Sequence, residues 1–323
     1  MPRVLVTDYK YDDISLEQKL FTNAGIEVVA GDCTTEDQVI AAAKDFDALL
    51  IQYASITDRV LAALPRVGIV SRLGAGFDTV DPAACAKRGV WLANSPDYGV
   101  GEVSTHALAL TLALVRNVVA YHRDIQAGTW HFESSGKLQR ASDTTMGIVG
   151  LGRIGKRMAH ISRNIFKRVV ACDPYLIDGD FPAYVERADL AGLFEQSDVI
   201  SMHTPLNDET RGIVNATVLR RMKPGSYLVN TSRGAVVNID DLLAAVDSGI
   251  LAGAGLDVLP FEPVSADSRL LGHPKIILTP HAAFFSVPAE AELRRKAAQN
   301  IVTWVRTGRP DYVVVAGTRR YVA

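Results

Sequence analysis

Three side chains of the types that bind anions and transfer protons follow successive apolar runs in the last third of the sequence. Arg233, Glu262 and His281 each come shortly after one of these runs. An arginine guanidinium binds a carboxylate through two donors, and a histidine imidazole exchanges a proton near neutral pH. A glutamate beside that imidazole would orient it and favour its protonated form. Together these residues predict a site that binds a 2-oxo acid and gives a proton to its ketone oxygen.

Each of these residues also has a structural interpretation when it is taken alone. Arg233 could be an ion-pair partner, Glu262 an exposed loop acid between prolines, and His281 a rim histidine with a structural hydrogen bond. Their places after successive strands favour the catalytic interpretation. The carboxyl ends of parallel strands meet at one edge, and open α/β sheets bind their ligands there.

A glycine-rich segment in the middle of the chain could hold the phosphates of the nucleotide that donates the hydride in this reaction. The apolar run 145–149 is followed by Gly150, Gly152 and Gly155 in a G-x-G-x-x-G pattern, and a helical pattern begins near Arg153. We expect the first glycine to allow a tight turn, the second to let the backbone approach a pyrophosphate, and the third to let the helix lie close to its strand. The helix N-terminus would hold the phosphates. An ordinary glycine turn is the alternative.

The next apolar run ends in Asp173, eighteen positions beyond Gly155. A carboxylate at this place accepts hydrogen bonds from the ribose 2′- and 3′-hydroxyls and repels a 2′-phosphate. Pro174 and Tyr175 follow it, and neither could neutralise that phosphate. The sequence therefore predicts NAD rather than NADP, and a helix-capping or loop acid is the alternative for Asp173.

Composition and charge narrow the class of protein. The chain has 323 residues, of which 48% are hydrophobic, so it is long enough for two packed domains. Its net charge of -2 argues against a nucleic-acid or membrane-surface partner. The three cysteines are far apart, which predicts no disulfide, no metal site and a reducing, cytoplasmic location. No signal-peptide pattern is expected before the first strand, and the longest apolar stretch is too short to span a bilayer.

Short apolar runs alternate with helical patterns, which predicts two doubly wound parallel sheets in an α/β fold. In the first part of the chain we expect strands at 3–7, 26–30, 48–52, 67–72 and 90–93. After a break at 94–99 and a helix over about 101–126, we expect six strands near 145–149, 168–172, 199–203, 226–230, 252–257 and 275–279. One helix is expected to have Asp81 as its N-cap, Pro82 in its first turn and Gly89 beyond its end. The last helix is expected over about 288–306.

The order and spacing of these motifs resemble the D-isomer-specific 2-hydroxyacid dehydrogenase family over nearly the whole chain. The segments that carry the resemblance are 149–155, 203–206, 230–234, Asp257-Val258 with Glu262-Pro263, and 279–281. The resemblance implies a discontinuous, flavodoxin-like substrate domain at 1–99 plus 287–323 and a Rossmann NAD-binding domain at 100–286. It also implies a cleft between the domains that closes on cofactor and substrate. Arg233, Glu262 and His281 are the implied catalytic set.

The resemblance also implies which residues bind cofactor and substrate. Asp257 would contact the nicotinamide carboxamide, and the loop 203–205 would lie against the adenosine. The full cofactor set is Thr105, Gly150, Gly152, Arg153, Ile154, Gly155, Asp173, His203, Thr204, Pro205, Thr231, Ser232 and Asp257. The backbone of Gly74, Ala75 and Gly76 would bind the substrate carboxylate together with Arg233. Tyr53 and Phe284 would favour a small or apolar substituent.

Simpler interpretations remain for several of these residues. The loop at 74–76 could be a plain strand-to-helix turn, Thr105 a helix-face threonine, and either aromatic an ordinary core residue. The segments 281–286 and 173–176 resemble the C-terminal-binding-protein corepressor branch, and the pair Phe284-Phe285 also resembles the D-lactate dehydrogenases. This pattern is unlike the His-x-Gly of phosphoglycerate dehydrogenases, and the corepressor branch carries a tryptophan where this chain has Phe284.

The function predicted from these residues is NAD-dependent, reversible reduction of a 2-oxo acid, with His281 as general acid and base. A homodimer is implied by the resemblance alone. The segment 128–132 is expected to be either an exposed arm whose two aromatics could serve a subunit contact or a packed loop. The alternative is an NAD(H)-sensing, C-terminal-binding-protein-like interaction protein with incidental dehydrogenase activity. Retention of Arg233 and Glu262 beside His281 favours the enzyme, because a sensor needs only the nucleotide cradle. No Tyr-x-x-x-Lys occurs, which disfavours a short-chain dehydrogenase.

Overall fold

The computed structural model describes residues 1–321, and their helices and strands are as follows. The first segment forms β1 (Arg3–Val6), α1 (Ser15–Asn23), β2 (Glu27–Ala30), α2 (Glu36–Ala42), β3 (Ala48–Ile51), α3 (Asp58–Ala63), β4 (Ile69–Arg72), α4 (Pro82–Arg88) and β5 (Trp91–Ala93). The middle segment forms α5 (Val100–Val115), α6 (Val118–Gln126), β6 (Thr145–Val149), α7 (Arg153–Ser162), β7 (Arg168–Cys172), β8 (Glu186–Arg187), α8 (Leu190–Gln196), β9 (Val199–Met202), α9 (Ala216–Leu219), β10 (Ser226–Asn230), α10 (Ile239–Asp247), β11 (Leu251–Leu256) and β12 (Ile276–Leu278). The last segment forms α11 (Val287–Thr307) and β13 (Val313–Val315).

The chain divides into two compact units. The first unit contains Met1–Gly99 together with the segment that begins at Ser286, and the second contains Val100–Phe285. The substrate domain expected from the sequence runs to residue 323, and its last two residues, Val322 and Ala323, lie outside the described residues.

The sheet of the first unit has the strand order β2-β1-β3-β4-β5, followed by β13 at the edge. The first five strands are parallel and match the five predicted from the sequence, in the order of a flavodoxin-like fold. The strand β13 was not predicted and pairs antiparallel with β5. It is a short apolar run of three residues and is only half-buried.

Local signals in the first unit behave as expected. Asp81 caps α4 by accepting a hydrogen bond from Ala84 N at 3.0 Å, and Gly89 ends the helix in the left-handed conformation with φ 66°. The long final helix begins next to Ser286, whose hydroxyl oxygen accepts from Ala289 N at 3.2 Å. These predictions are confirmed because each depends on residues a few positions apart.

The sheet of the second unit is parallel throughout and has the order β8-β7-β6-β9-β10-β11-β12. This is the Rossmann order with a seventh strand added. All six predicted strands are present, but the predicted count was wrong, since the sequence analysis missed β8 at the edge. That strand has two residues, both exposed, and therefore no apolar run. Apolar side chains cover both faces of the sheet, as a parallel sheet requires.

The single long helix predicted over about 101–126 is two helices in the structure. Between α5 and α6, Asn117 adopts a left-handed conformation with φ 51°, and its side-chain amide donates to Ser135 O at 2.8 Å. Asparagine tolerates this conformation better than most residues. The two helices are bent by 57° there, and the apolar pattern continues across the bend, so the sequence pattern predicted one helix. Among residues 1–321 no single helix is long and apolar enough to cross a membrane, although this bent pair passes such a test by length and composition together.

Candidate active site

The turn between β6 and α7 has the geometry expected of a nucleotide-phosphate cradle. Gly150 lies at φ 90°, and a Cβ there would lie 2.7 Å from His203 O. A Cβ at Gly155 would collide with the carbonyl oxygen of Gly150, so the helix approaches its strand closely only because this residue is glycine. At Gly152 a Cβ would meet nothing within 4 Å, and the open space lies at the start of the helix. The turn at Gly150 and the close approach at Gly155 are as predicted, and the contact of Gly152 with a pyrophosphate stays a prediction.

The polar atoms around this turn fit a bound dinucleotide. No side chain caps the N-terminus of α7, where Gly152 is the N-cap and the exposed Arg153 and half-buried Ile154 follow. The hydroxyl oxygens of Thr204 and Thr231 are buried without a hydrogen-bond partner among the described residues. Both threonines follow strands of the sheet, β9 and β10, at its carboxyl edge. Uncapped N–H groups and orphaned hydroxyls at this edge are what phosphate and ribose oxygens would satisfy.

Asp173 is held rigidly at the end of β7. Its Oδ2 accepts a hydrogen bond from Leu151 N at 2.8 Å, and its Oδ1 accepts from Tyr175 N at 3.1 Å. The Tyr175 hydroxyl donates to Glu209, and this hydrogen bond raises the pKa of the tyrosine. Two carboxylates therefore lie beside the loops that follow β7 and β9, which makes this end of the cradle unfavourable for a 2′-phosphate.

The other residues expected to bind the cofactor differ in how available their polar atoms are. Burial lowers the pKa of His203 to about 4, so its ring is neutral at physiological pH, and its Nε2 lies 2.9 Å from Ser201 Oγ. Pro205 is exposed. The hydroxyl of Thr105 donates to Gly101 O at 2.8 Å, and that of Ser232 donates to Asn230 Oδ1 at 2.8 Å. Each of these two hydroxyls would have to rotate before it could donate to a phosphate.

Asp257, which the family resemblance places near the nicotinamide carboxamide, has a fully buried side chain with 0% exposed surface. Its Oδ1 accepts from Thr279 Oγ1 at 2.6 Å and from Ala282 N at 2.9 Å, and its Oδ2 accepts from Ala283 N at 3.0 Å. These donors occupy the carboxylate because the turn after β12 folds over it. The contacts assign Asp257 to holding that turn.

His281 and Glu262 form the polar pair predicted from the sequence. His281 Nδ1 lies 2.7 Å from Glu262 Oε2, and Leu259 N donates to Glu262 Oε1 at 2.8 Å. Burial by itself raises the pKa of Glu262, but the hydrogen bond with His281, the Leu259 N–H and the charge of Arg233 together hold that pKa below its usual range. The glutamate is therefore ionised at neutral pH and accepts from Nδ1–H, which leaves Nε2 of the imidazole for a substrate.

The backbone around these residues orients their side chains. His281 adopts a left-handed conformation with φ 54°, and its N–H donates to Asp257 O at 2.8 Å. The carbonyl oxygen of Arg233 accepts from Asn230 Nδ2 at 2.8 Å, which fixes the loop after β10. The ring of Phe284 stands edge-on to His281, with centroids 6.4 Å apart. Arg233, Glu262, His281 and Phe284 thus meet at the carboxyl edge of one sheet.

In the first unit, the residues expected to bind substrate lie on two loops. Gly74 has φ 153° and donates its N–H to Arg72 O at 3.0 Å, whereas the N–H groups of Ala75 and Gly76 have no partner within residues 1–321. Tyr53 is 43% exposed, and its N–H donates to Asp8 Oδ2 at 2.6 Å.

Sequence reasoning missed the buried carboxylate of Asp8, which also accepts from Gln52 N and Ala54 N at 3.1 and 3.2 Å. The available signal was an acid directly after a buried strand, the same signal that led to Asp173. The residues His106 and Thr279, which contact Asp257, were also missed as site residues.

Residues 108–283 match the family model described as D-isomer specific 2-hydroxyacid dehydrogenase, NAD binding domain. The chain belongs to this family. The protein is accordingly an oxidoreductase that acts on the CH–OH group of 2-hydroxy acids with NAD or NADP as cofactor.

Several members of the 2-hydroxyacid dehydrogenase family resemble the chain over most of its length. It is 35% identical over 282 residues to a glyoxylate reductase from Korarchaeum cryptofilum, covering 85% of each chain. It is 36% identical over 299 residues to a D-3-phosphoglycerate dehydrogenase from Mycobacterium bovis. That match covers 90% of this chain but only 56% of the relative's length. A solved structure of an NADPH-dependent glyoxylate/hydroxypyruvate reductase from Sinorhizobium meliloti is 27% identical, with a TM-score of 0.86 and 99% of each chain covered.

Proposed function

We propose that the protein is an NAD(H)-dependent D-2-hydroxyacid dehydrogenase of the cytoplasm that reduces a small 2-oxo acid and catalyses the reverse reaction. The observation that carries this proposal is the His281 and Glu262 pair, with 2.7 Å between Nδ1 and Oε2, at the sheet edge where the chain also forms its phosphate cradle. The three cysteines are free thiols, which suits a reducing compartment.

In the proposed mechanism, the chain binds the acid, polarises its ketone and moves one proton. When bound, the nicotinamide supplies the hydride to C2 of the oxo acid. The Arg233 guanidinium binds the carboxylate and draws electron density from the ketone oxygen. His281 Nε2 donates its proton to that oxygen as the hydroxyl forms, and Glu262 stabilises the imidazolium and holds its orientation. In the oxidative direction the neutral imidazole accepts the hydroxyl proton.

Further residues are proposed to select the substrate. The unpartnered N–H groups of Ala75 and Gly76 suit a carboxylate, as the family resemblance implies. Tyr53 and Phe284 would favour a small or apolar substituent on the oxo acid. Relatives named as glyoxylate and hydroxypyruvate reductases support a substrate of this size.

The experiment that tests the proposed function is NADH oxidation with a panel of 2-oxo acids: glyoxylate, pyruvate, hydroxypyruvate, phenylpyruvate and 2-oxoisocaproate. We expect turnover of at least one of them, with loss of turnover in His281→Asn. Asparagine is chosen because it tolerates the left-handed backbone of this position, where φ is 54°. If NADH binds but no oxo acid is reduced faster than by the variant, the dehydrogenase proposal fails and the NAD(H)-sensing alternative takes its place.

Preference for NAD over NADP is proposed to come from the charge of Asp173. The change Asp173→Asn removes that charge but keeps an oxygen that can accept from Leu151 N, now 2.8 Å from Oδ2. We expect the ratio of kcat/KM with NADPH to that with NADH to rise by about tenfold or more, equivalent to about 1.4 kcal/mol. Steady-state kinetics with both cofactors measure the ratio. Asp247→Asn on α10 is the control, and an unchanged ratio in Asp173→Asn would assign the preference elsewhere.

A homodimer is proposed to form through the arm at 128–132. Trp130 and Phe132 are 88% and 79% exposed, which is unusual for large aromatic side chains on a monomer. We expect the wild-type protein to sediment as a dimer and Trp130→Ser with Phe132→Ser to sediment as a monomer in analytical ultracentrifugation. Val287→Ser, also at an exposed apolar residue, should leave the dimer intact. A double variant that remains dimeric would place the subunit contact on another surface.

A further inference from the structure

Three side chains form a hydrogen-bonded chain between helix α5 and the turn that carries His281. His106 lies on α5, and His106 Nε2 lies 3.0 Å from Thr279 Oγ1. Thr279 Oγ1 lies 2.6 Å from Asp257 Oδ1, which closes the chain at the carboxyl edge of the sheet. The proposed mechanism uses none of the three as an acid, a base or an anion ligand.

The chemistry of these groups sets the direction of both hydrogen bonds. The carboxylate of Asp257 accepts, so the single hydroxyl hydrogen of Thr279 is donated to it. The threonine oxygen then remains only as an acceptor, and the proton between it and the imidazole is on His106 Nε2. His106 is therefore a donor here, and its Nε2 also lies 3.6 Å from Asp257 Oδ1.

The other end of this chain holds the backbone of the catalytic turn. Asp257 accepts from Ala282 N and Ala283 N through its carboxylate, and its carbonyl oxygen accepts from His281 N at 2.8 Å. These bonds hold the backbone at His281 and at the two residues after it, and the φ of 54° at His281 is uncommon for a residue other than glycine. A rotation of the Asp257 carboxylate would therefore release the turn that aims the imidazole.

The packing of α5 brings His106 to this place. Leu110 and Leu114 follow His106 at intervals of four residues, so the three side chains share one face of the helix. A Cβ at Gly255 of β11 would lie 3.1 Å from Leu110 Cβ, and one at Gly253 would lie 3.2 Å from Leu114 Cδ2. The two glycines thus let α5 lie close to the sheet, which puts the imidazole within reach of Thr279.

We propose that His106 is a positioning residue for the general acid. By donating to Thr279 it fixes the Asp257 carboxylate, and through that carboxylate it keeps His281 aimed at the substrate ketone. This inference rests on the proposed function, since it assigns His281 the transfer of the proton. It adds His106, on helix α5, to the residues that support the proton transfer by His281.

Two matched pairs of variants test the chain of hydrogen bonds. His106→Leu and Thr279→Val each remove a link, whereas His106→Gln and Thr279→Ser each keep a group that can make it. We expect His106→Leu and Thr279→Val each to lower kcat on the order of tenfold, because the imidazole of His281 is no longer correctly oriented. The KM for NADH should be unchanged, because the phosphate-binding turn is intact. Glutamine and serine should restore most of kcat. The double variant His106→Leu with Thr279→Val should lose no more than the worse single variant, since both break one chain.

Controls separate this inference from folding effects and from the proposed function. His122→Leu on α6 should keep wild-type kcat, and melting temperatures should remain close to that of the wild type. If His106→Leu does not fold, the Thr279 pair decides. Any of three results would overturn the inference. The first is an unchanged kcat in His106→Leu, and the second is an equal loss of kcat in His106→Leu and His106→Gln. The third is a loss in the double variant equal to the two single losses combined. Failure of the proposed function looks different, since the wild type would then reduce no oxo acid or His281→Asn would be as active as the wild type.

Discussion

Replacing His281 with asparagine is expected to lower kcat for reduction of a 2-oxo acid by about a hundred- to ten-thousand-fold, the usual contribution of a positioned general acid. The reason is geometric as well as chemical. Its Nδ1 is engaged by the ionised Glu262 at 2.7 Å, which leaves Nε2–H as the proton donor, and an asparagine amide is too weak an acid to replace it. Steady-state kinetics with the best substrate of the panel measure the loss.

The effect should be confined to the chemical step. The dissociation constant of NADH, measured from its fluorescence, should be unchanged, because the phosphate cradle lies on another loop of the sheet. His122→Asn, at an exposed position of α6, is the control and should keep wild-type kcat. A His281→Asn enzyme that retains most of its kcat would show that the proton comes from another group or from water.

Because the pKa of Glu262 is lowered, the pair should persist over a wide pH range. The carboxylate is ionised above the usual range for glutamate, and it remains so as the pH falls until the lowered pKa is reached. Any stability that the hydrogen bond from His281 to the ionised Glu262 contributes is therefore present at neutral pH and lost as the pH falls through the lowered pKa of Glu262.

Replacing Arg233 with alanine is the second change with a large expected effect. A bidentate hydrogen bond between a guanidinium and a carboxylate is worth about 3 to 4 kcal/mol in a site shielded from water, so kcat/KM for the oxo acid should fall by about a hundred- to a thousand-fold. Arg233→Lys should recover only part of this loss, since a lysine ammonium keeps the charge but not the planar pair of donors. Kinetics over a range of oxo acid concentrations measure both values.

The comparison with a surface arginine makes this prediction specific. Arg220→Ala, at an exposed position after α9, should leave kcat/KM unchanged. The Kd of NADH should stay the same in Arg233→Ala, since the guanidinium is assigned to the substrate. If kcat/KM is unchanged in Arg233→Ala, the residue acts as an ion-pair partner near Glu262. This is the structural interpretation that the sequence alone also allowed.

The features predicted correctly from the sequence are those that depend on near neighbours. The G-x-G-x-x-G turn is one, because positive φ at Gly150 and close approach at Gly155 are properties of a single strand-turn-helix segment. The cap of α4 by Asp81 is another, since donor and acceptor are three residues apart. The pairing of His281 with Glu262 was predictable because both follow strands that were recognisable as buried apolar runs.

The errors occurred where the local pattern is weak or competes with a distant partner. The strand β8 is two exposed residues held only by pairing with β7, so no periodicity marks it. The break at Asn117 is stabilised by a hydrogen bond to Ser135, eighteen residues away. The contacts of Thr279, Ala282 and Ala283 with the Asp257 carboxylate were missed, since these donors lie more than twenty residues along the chain.

The sequence by itself therefore determined the two-sheet α/β class, the glycine turn after β6, the acid at Asp173 and the places of the trio Arg233, Glu262 and His281 after strands, because these features depend on residues a few positions apart. Only the tertiary structure decided how the trio is supported. The contacts from His106 through Thr279 to Asp257, and from Asp8 to the backbone at Tyr53, join residues that are far apart in the chain. Such contacts depend on which helix packs on which sheet and at what depth, and no local pattern of residue types specifies that.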